Sequence, residues 1–581
     1  MLSKQKQTET DATSVPPELS KDQTRTSSSL RNEKDDIADA SPSSQISLGQ
    51  PGDDDIVYPT GLKLVLLLAC MFVGMFLVSL DKLIIATAIP QITNDFNSAG
   101  DIGWYGTAYL LTSCAFQLVF GKIYAYFSIK GTFMTSILLF EIGSALCGAA
   151  PNSIAFIIGR AIAGMGGGGV MTGVMVIIVY ALPLHKRPKV QGFFGAVFGL
   201  SSIAGPLVGG AFTTKAAWRW CFYLNLPLGA IVLALVPFLL DIPDRTNTKL
   251  PWKDKLRQLN ALGMLALLPG VVCLCLALQW GGTTYAWGEP RIIVLLTFAF
   301  TLLIAFVLTQ IWKPDQATVP PRIFVQQSIF SAFWLSSCIG IQTQIFGFYL
   351  PVWFQAVKGD SALESGTDLL PLLLLTFVAS ITTGILVSRI GYYTPFAIFG
   401  SCLSAVGAGL LTTLEVNSST AKWVGYQVFY GFALGSMTQA PNMAAQTVLS
   451  RQDIAIGASL MFFGQQLFGA VFVSVGQNVL DNQLVERLVK IPGMQGITPQ
   501  QIQKTGATAL LDLAPAAFRS RGLDAYNDAL RVCFQVGLIM ACLSVLGAAG
   551  LEWKSVRKSL PPKMSDAEKA TQVAGEKTTV A

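Results

Sequence analysis

The sequence predicts an all-α polytopic membrane protein, and three observations carry that prediction. Of 581 residues, 52% are hydrophobic and only 13% charged, against roughly 25% charged in an average soluble domain. Fourteen uninterrupted apolar stretches have the roughly 18–25 residues that cross a bilayer core as helix. Lys and Arg in the short connections are denser in every second one, as in a chain threaded repeatedly through a membrane. A soluble chain of this length would make about three or four domains, a prior that the composition overrules. Barrel strands are also excluded, being about 10 residues of alternating character where these runs are long and continuous.

The stretches run at about 63–89, 104–124, 133–150, 154–179, 191–213, 221–240, 261–280, 292–312, 329–356, 367–388, 394–414, 422–447, 455–480 and 531–551. The even connections carry Lys122 and Lys130, then Lys186, Arg187 and Lys189, then Arg245, Lys249, Lys253, Lys255 and Arg257, then Lys313 and Arg322, then Arg389, then Arg451. The odd connections hold fewer, namely Lys215, Arg219, Arg291, Lys358 and Lys422. The even connections and both termini are therefore expected on the cytoplasmic side, and an even number of spans agrees with that.

Residues 1–60 are rich in Ser, Thr, Asp, Lys and Gln and are expected to form a disordered cytoplasmic tail. Within it, Arg25 to Arg31 is either a phosphorylated regulatory stretch or plain tail. No charged start followed by a short apolar run precedes the first stretch, which is expected to act as its own insertion signal. A polar insert at 481–530 lies outside by parity, and Leu510, Leu513 and Phe518 hint at a short helix on the membrane face.

Enzyme chemistry finds little to work with. The ten cysteines all fall in or beside apolar stretches, giving neither a disulfide framework nor metal-ligand spacing. His185 is the single histidine, set in the basic segment LPLHKRPK, with no acidic residue between Glu141 and Asp241. No catalytic residue, metal site or cofactor is expected, and no nucleic-acid partner. Gly164, Gly166 and Gly169 satisfy G-x-G-x-x-G, but a dinucleotide fingerprint needs a preceding strand and a carboxylate about 20 residues on. The chain offers HKRPK there instead. Glycine in a membrane helix lets another backbone approach closely, as in Gly169-x-x-x-Gly173, and that is the reading adopted.

Charges inside the stretches stand out, since each costs roughly 2.5–3.5 kcal/mol on insertion scales and marks a pathway or relay. Asp81 with Lys82, Glu141 and Arg160 are the three places. Adjacent helical residues point about 100° apart, so Asp81 and Lys82 make a poor self-pair. Glu141 and Arg160 suit an interhelical tether as well as a transport role. In the fifth stretch, Gly195 and Gly199 are four apart, and Gly205-Pro206 is read as a break flanked by Gly209 and Gly210. Such a device serves rocking halves and static bundles alike.

These residues carry a family resemblance. LDKLIIATAIPQI (80–92), WYGTAYLLTSCAFQLVFGKIYAYFSIK (104–130), FEIGSALCGAAPNS (140–153), GRAIAGMGGGG (159–169), GLSSIAGPLVGG (199–210), WRWCFYLNLPLG (218–229) and LALQWGGTTYAW (276–287) together resemble the major facilitator superfamily. The likeness is to its fourteen-helix drug:proton antiporter branch, and within that to fungal pumps exporting toxins and other secondary metabolites. It covers about residues 60–555.

The resemblance implies a major facilitator fold of fourteen transmembrane helices arranged as 6 + 2 + 6, with both termini cytoplasmic. The expected divisions are a tail (1–60), a six-helix bundle (61–240), two linker helices (241–327), a second six-helix bundle (328–552) with the external loop 481–530, and a tail (553–581). It also implies proton coupling through Asp81, proton transfer through Arg160, and an exporter hinge of Gly199, Gly205, Pro206, Gly209 and Gly210; Glu141 is a further proton-coupling candidate as a charge inside a stretch. The superfamily's G-x-x-x-D-R-x-G-x-[RK] loop is here Gly121-Lys-Ile-Tyr-Ala-Tyr-Phe-Ser-Ile-Lys130, without its carboxylate. A faint echo, Gly384 to Gly391, keeps Gly, Arg389 and Gly, which suits two related halves.

Substrate is expected near the midplane between the halves. Trp334, Cys338, Gln342, Phe346, Tyr349 and Trp353 share one side of the ninth stretch, Gln439, Asn442 and Gln446 one side of the twelfth, and Gln465 and Gln466 lie in the thirteenth. Helix packing explains any single stripe as well as a cavity does. The cavity candidates are Trp334, Gln342, Tyr349, Gln439, Asn442, Gln446 and Gln465, suited to an amphipathic or neutral organic molecule. The expected protein is a monomeric, proton-driven exporter in the plasma membrane whose partners are a small organic substrate, protons and the lipid bilayer. Vacuolar or plasma-membrane transport of basic amino acids or metal chelates is the alternative, with a receptor or an oxidoreductase more remote. Asn417-Ser-Ser is a glycosylation sequon on an outside loop by parity.

Overall fold

The computed structural model describes residues 58–98, 101–242, 245–282, 285–491 and 519–557. Most of the two expected tails, including 25–31, and Leu510, Leu513 and Phe518 in the polar insert, lie outside the described residues.

Helices account for nearly all of what is described. In order they are α1 (Gly61–Phe96), α2 (Ile102–Tyr126), α3 (Ile129–Ala149), α4 (Ser153–Ala181), α5 (Arg187–Lys215), α6 (Trp220–Tyr223), α7 (Asn225–Leu239), α8 (Trp252–Gln258), α9 (Ala261–Trp280) and α10 (Pro290–Trp312). There follow α11 (Pro321–Phe324), α12 (Gln327–Trp353), α13 (Ala362–Asp368), α14 (Leu370–Ile390), α15 (Thr394–Leu411), α16 (Thr420–Met437), α17 (Ala440–Val448), α18 (Ile454–Leu488) and α19 (Arg519–Ala549). Local chemistry sets several ends. Ser128 and Asn152 cap α3 and α4 by accepting from the N–H groups of Gly131 and Ala155. Helix α14 stops at Gly391, whose φ of 96° is open to glycine and strained for other residues.

Thirteen helices among the described residues are long and apolar enough to cross a membrane. The expected span at 422–447 is instead divided between α16 and α17. The cause is local: Pro441 has no N–H to give the carbonyl of Met437, so the ladder is interrupted at Thr438 and Gln439. Conversely, the expected break at Gly205-Pro206 is not present. Helix α5 runs unbroken from Arg187 to Lys215, because one missing N–H is tolerated when the flanking turns hold and α1 covers that face. The polar insert is also less of a loop than its composition suggests. Helix α18 continues to Leu488 and α19 begins at Arg519, their extensions joined by an Arg487–Asp528 ion pair of 3.1 Å.

Two large apolar cores organise the helices. One is built from α1–α5 and α7 around Met71, Phe133, Phe140 and Val174. The other is built from α9, α11, α12 and α14–α19 around Ile339, Phe346, Tyr430 and Phe534, with Leu118 and its neighbours on α2 joining it. They meet along two seams. In one, Gly195 of α5 lies against Ser380 of α14, and Gly384 lies against the Pro188 carbonyl and Gly192. In the other, Gly121 of α2 lies against Ser459 and the Ala455 carbonyl of α18. Gly121 heads the loop motif that lacks its carboxylate and Gly384 heads its echo, so each puts a bare backbone against the opposite half. Helices α9 and α10 pack on each other, and α9 also leans on α2 through Trp104 and Trp280, whose rings are 5.9 Å apart. Helix α10 turns Ile293, Phe298, Ile304 and Ile311 outward, the surface expected of a helix facing lipid.

Candidate functional site

The site is built on the glycine run of α4. Gly164 faces the Tyr109 carbonyl and Thr112 of α2, and Gly168 the Ser113 carbonyl. On the other side Gly166 faces the backbone of Phe140 and Ser136 in α3. A Cβ at Gly164 or Gly166 would overlap those backbones, so α4 is wedged between two neighbours at distances only glycine permits. The N–H groups of the run are consumed in the helical ladder and cradle no phosphate.

That packing delivers Arg160, one turn before Gly164, into the middle of the first bundle. Its Nη1 lies 2.6 Å from Oδ2 of Asp81, the two side chains being 1% and 0% exposed. The Nε donates to the Tyr105 carbonyl at 3.0 Å. The guanidinium also lies 4.6 Å from the Tyr109 ring and 5.8 Å from that of Phe222. Asn225 at the start of α7 donates to Oδ1 of Asp81 at 3.4 Å and to the Ser144 hydroxyl of α3 at 3.1 Å. Six helices, α1–α4, α6 and α7, thus contribute to one buried cluster.

Glu141 lies one turn from Ser144 and is buried against Gly229 of α7, where a Cβ would overlap its carboxylate. Neither carboxylate oxygen has a hydrogen-bond partner among the described residues. The tether of Arg160 is therefore Asp81 and not Glu141. Asn225 is not legible in the sequence as a site residue; the one signal is an amide inside the apolar WRWCFYLNLPLG.

The expected exporter hinge divides its contacts. Gly205 lies against Leu83 of α1, Gly209 against Thr87 and Ile84, and Gly199 against Phe377 of α14. A Cβ at Gly210 would meet open space. Pro206 lies inside the continuous α5.

A second polar chain crosses the α2–α18 seam. Ser113 donates to Gln466 Oε1 at 3.3 Å, Gln466 Nε2 to Gln117 Oε1 at 3.4 Å, and Gln117 Nε2 to the Thr172 hydroxyl at 2.6 Å. Gln466 makes this bridge, whereas its neighbour Gln465 packs its backbone against Gly340.

The cavity candidates separate into two groups. Trp334 is 40% exposed and donates to the Leu543 carbonyl of α19 at 3.0 Å, away from the other half. Tyr349 donates to the Val473 carbonyl at 2.8 Å, and Trp353 to Asn527 at 2.7 Å. Phe346 packs against Tyr430 and Phe534. The aromatic members of the stripe thus serve packing onto α16, α18 and α19. Gln342 differs: it is 0% exposed, and neither amide atom has a partner among the described residues. Gln446 is likewise buried with both amide atoms unpartnered, and the Oδ1 of Asn442 is unpartnered too. Gln439 donates to the Ser380 hydroxyl at 3.1 Å. Helix α12 packs against α17, so these amides come from adjoining elements. Asn417 is exposed in the turn before α16. All ten cysteines are free, and no group of metal-ligating side chains occurs among the described residues.

Residues 71–473 match the family model described as Major Facilitator Superfamily. An MFS-type transporter of Claviceps purpurea is 50% identical over 90% of this chain and 90% of its own. The MFS-type transporter VdtG of Byssochlamys spectabilis is 47% identical over 86% and 90%. The rubrofusarin-specific efflux pump aurT of Gibberella zeae is 44% identical over 87% and 92%. Among solved structures, the proton:xylose symporter XylE superposes with a TM-score of 0.54 over 85% of this chain and 98% of its own, at 15% identity. That last likeness speaks for the fold alone. These relatives are named for transport and not for catalysis, and the apolar helices make this a multi-pass membrane protein. The chain belongs to the major facilitator superfamily.

Proposed function

We propose that the protein exports a small amphipathic organic molecule of the secondary-metabolite kind from the cytoplasm, in exchange for protons, by alternating access. The observation that carries this reading is the buried Asp81–Arg160 pair beneath the glycine-packed α4. A buried ion pair is weak evidence for stability alone, since apolar replacements are often neutral or better. At membrane depth, its reading as a relay has the stronger physical motive. Relatives named efflux pumps support export as the direction of transport.

In this reading a proton taken up by Asp81 removes the charge that holds Arg160, and the two protonation states favour different packings of the bundles. The bare-backbone contacts at Gly121 and Gly384 are the surfaces that separate when the cytoplasmic side opens. Glu141 is a second proton acceptor, held out of any ion pair. Each proton moving inward supplies about 2.3 kcal/mol per 100 mV, which supports roughly a 50-fold cargo gradient at 1.4 kcal/mol per tenfold. One chain supplies both halves of the site and acts as a monomer in the plasma membrane.

The test is accumulation of a panel of fluorescent and labelled organic compounds, rubrofusarin among them, in cells with and without the protein and with and without a protonophore. Lower accumulation that the protonophore reverses supports export. No difference, with the protein in the vacuolar membrane, transfers the reading to vacuolar loading of basic amino acids or metal chelates.

The unpartnered amides give a sharper prediction. Gln342→Leu and Gln446→Leu should cut export by about tenfold or more while leaving thermal stability equal or higher, because replacing an unsatisfied buried amide by an apolar group of similar size is nearly neutral or stabilising. Unchanged export in both variants would remove them from the cargo path.

A further inference from the structure

Lys82 is a membrane-depth charge for which neither the packing nor the proposed proton path has a use. It follows Asp81 in the middle of α1, where Ser79, Leu80 and Asp81 are buried and Lys82 is half-buried. The carboxylate next to it is already committed to Arg160 and Asn225. Glu141 is no substitute, being buried against Gly229 on the α7 side and outside salt-bridge reach of any described cation. The ammonium of Lys82 makes no hydrogen bond or ion pair with a described residue. Its aromatic contact is the Tyr109 ring at 5.8 Å, near the outer limit of about 6 Å for a cation–π contact. The Tyr109 hydroxyl and the Ser79 hydroxyl, the latter one turn back on α1, are both buried and also lack partners among the described residues.

An ammonium and two hydroxyls, held at membrane depth with no acceptor of their own, are the complement of an acidic oxygen. A charge at membrane depth is costly, and the carboxylate beside it in the chain, Asp81, is hydrogen-bonded to Arg160 and Asn225 and not to Lys82. We infer that Lys82, with Tyr109 and Ser79, binds the anionic group of the cargo, so that the exported class is amphipathic organic molecules bearing one carboxylate or phenolate. The inference deepens the export reading and takes its cargo from it. The unpartnered amides of Gln342, Asn442 and Gln446 then serve the uncharged remainder.

The test uses purified full-length protein in nanodiscs and two probes of similar shape, 2-naphthoate and its neutral counterpart 2-acetylnaphthalene, titrated by thermophoresis. Wild type is expected to bind naphthoate roughly tenfold or more tighter than the ketone, a difference of about 1.4 kcal/mol. Lys82→Gln should erase that preference while leaving ketone affinity unchanged, and Lys82→Arg should keep it. A wild type that binds no naphthoate or shows no preference overturns the inference, as does a Lys82→Gln protein that weakens both probes equally, the signature of a packing role. Intact naphthoate preference in a protein that exports nothing would take down the export reading and leave the anion site standing.

Discussion

Asp81→Asn protein is expected to remain in the membrane and to lose uphill export completely. Asparagine still accepts a hydrogen bond from Arg160, so the local geometry survives, but it takes up no proton. The steady-state cargo gradient should fall to unity while downhill exchange persists. Losing one partner of a buried pair leaves the other charge uncompensated, at a cost of about 3–5 kcal/mol, and lower protein yield is an expected side effect. The double variant Asp81→Asn/Arg160→Gln removes both charges and should recover yield without recovering coupling. Asp81→Glu keeps a titratable group and should retain part of the gradient. Proton-dependent uphill export by Asp81→Asn at normal yield would reject this carboxylate as the coupling group.

Gly166→Leu should abolish the folded protein. A side chain there collides with the backbone of Phe140 and with the Ser136 carbonyl, and a backbone cannot step aside as a flexible side chain can. Overpacking typically costs about 1–3 kcal/mol, and the backbone contact places this site at or beyond the top of that range. Gly106→Ala is the matched control, since a Cβ there meets nothing within 4 Å and alanine is favoured over glycine inside a helix by about 1 kcal/mol. Fluorescence-detected size exclusion should show Gly106→Ala monodisperse and Gly166→Leu aggregated. A monodisperse Gly166→Leu would mean that α3 and α4 are not held as described.

Apolar length and loop charge make most spans legible in the amino-acid sequence, because a bilayer leaves a chain few options. The glycine run is readable as helix packing for the same reason, with no strand before it and no carboxylate after it. Pairing is not readable. Asp81 and Arg160 are 79 residues apart, and hydropathy marks each as costly without saying which residue offsets which. Asn225 does not stand out because a single amide in an apolar run looks like many others. The α12 stripe does not by itself separate packing from cavity, for a geometric reason: periodicity shows that residues share a face, but a helix surrounded on all sides has neighbours for every face. Trp334 and Tyr349 meet α19 and α18, while Gln342 of that stripe has no partner among the described residues. The division at Thr438 and Gln439 rests on one missing N–H, which an average over about 20 apolar residues conceals.

Coupling of cargo to protons is tested most directly by purified protein in liposomes loaded with buffer and cargo, with a pH jump imposed across the membrane and interior pH followed by a trapped dye. Cargo moving against its gradient while protons move the other way, with both fluxes absent in Asp81→Asn, is the predicted result. Cargo movement that ignores the pH jump, or a proton flux that persists without cargo and without Asp81, would contradict it.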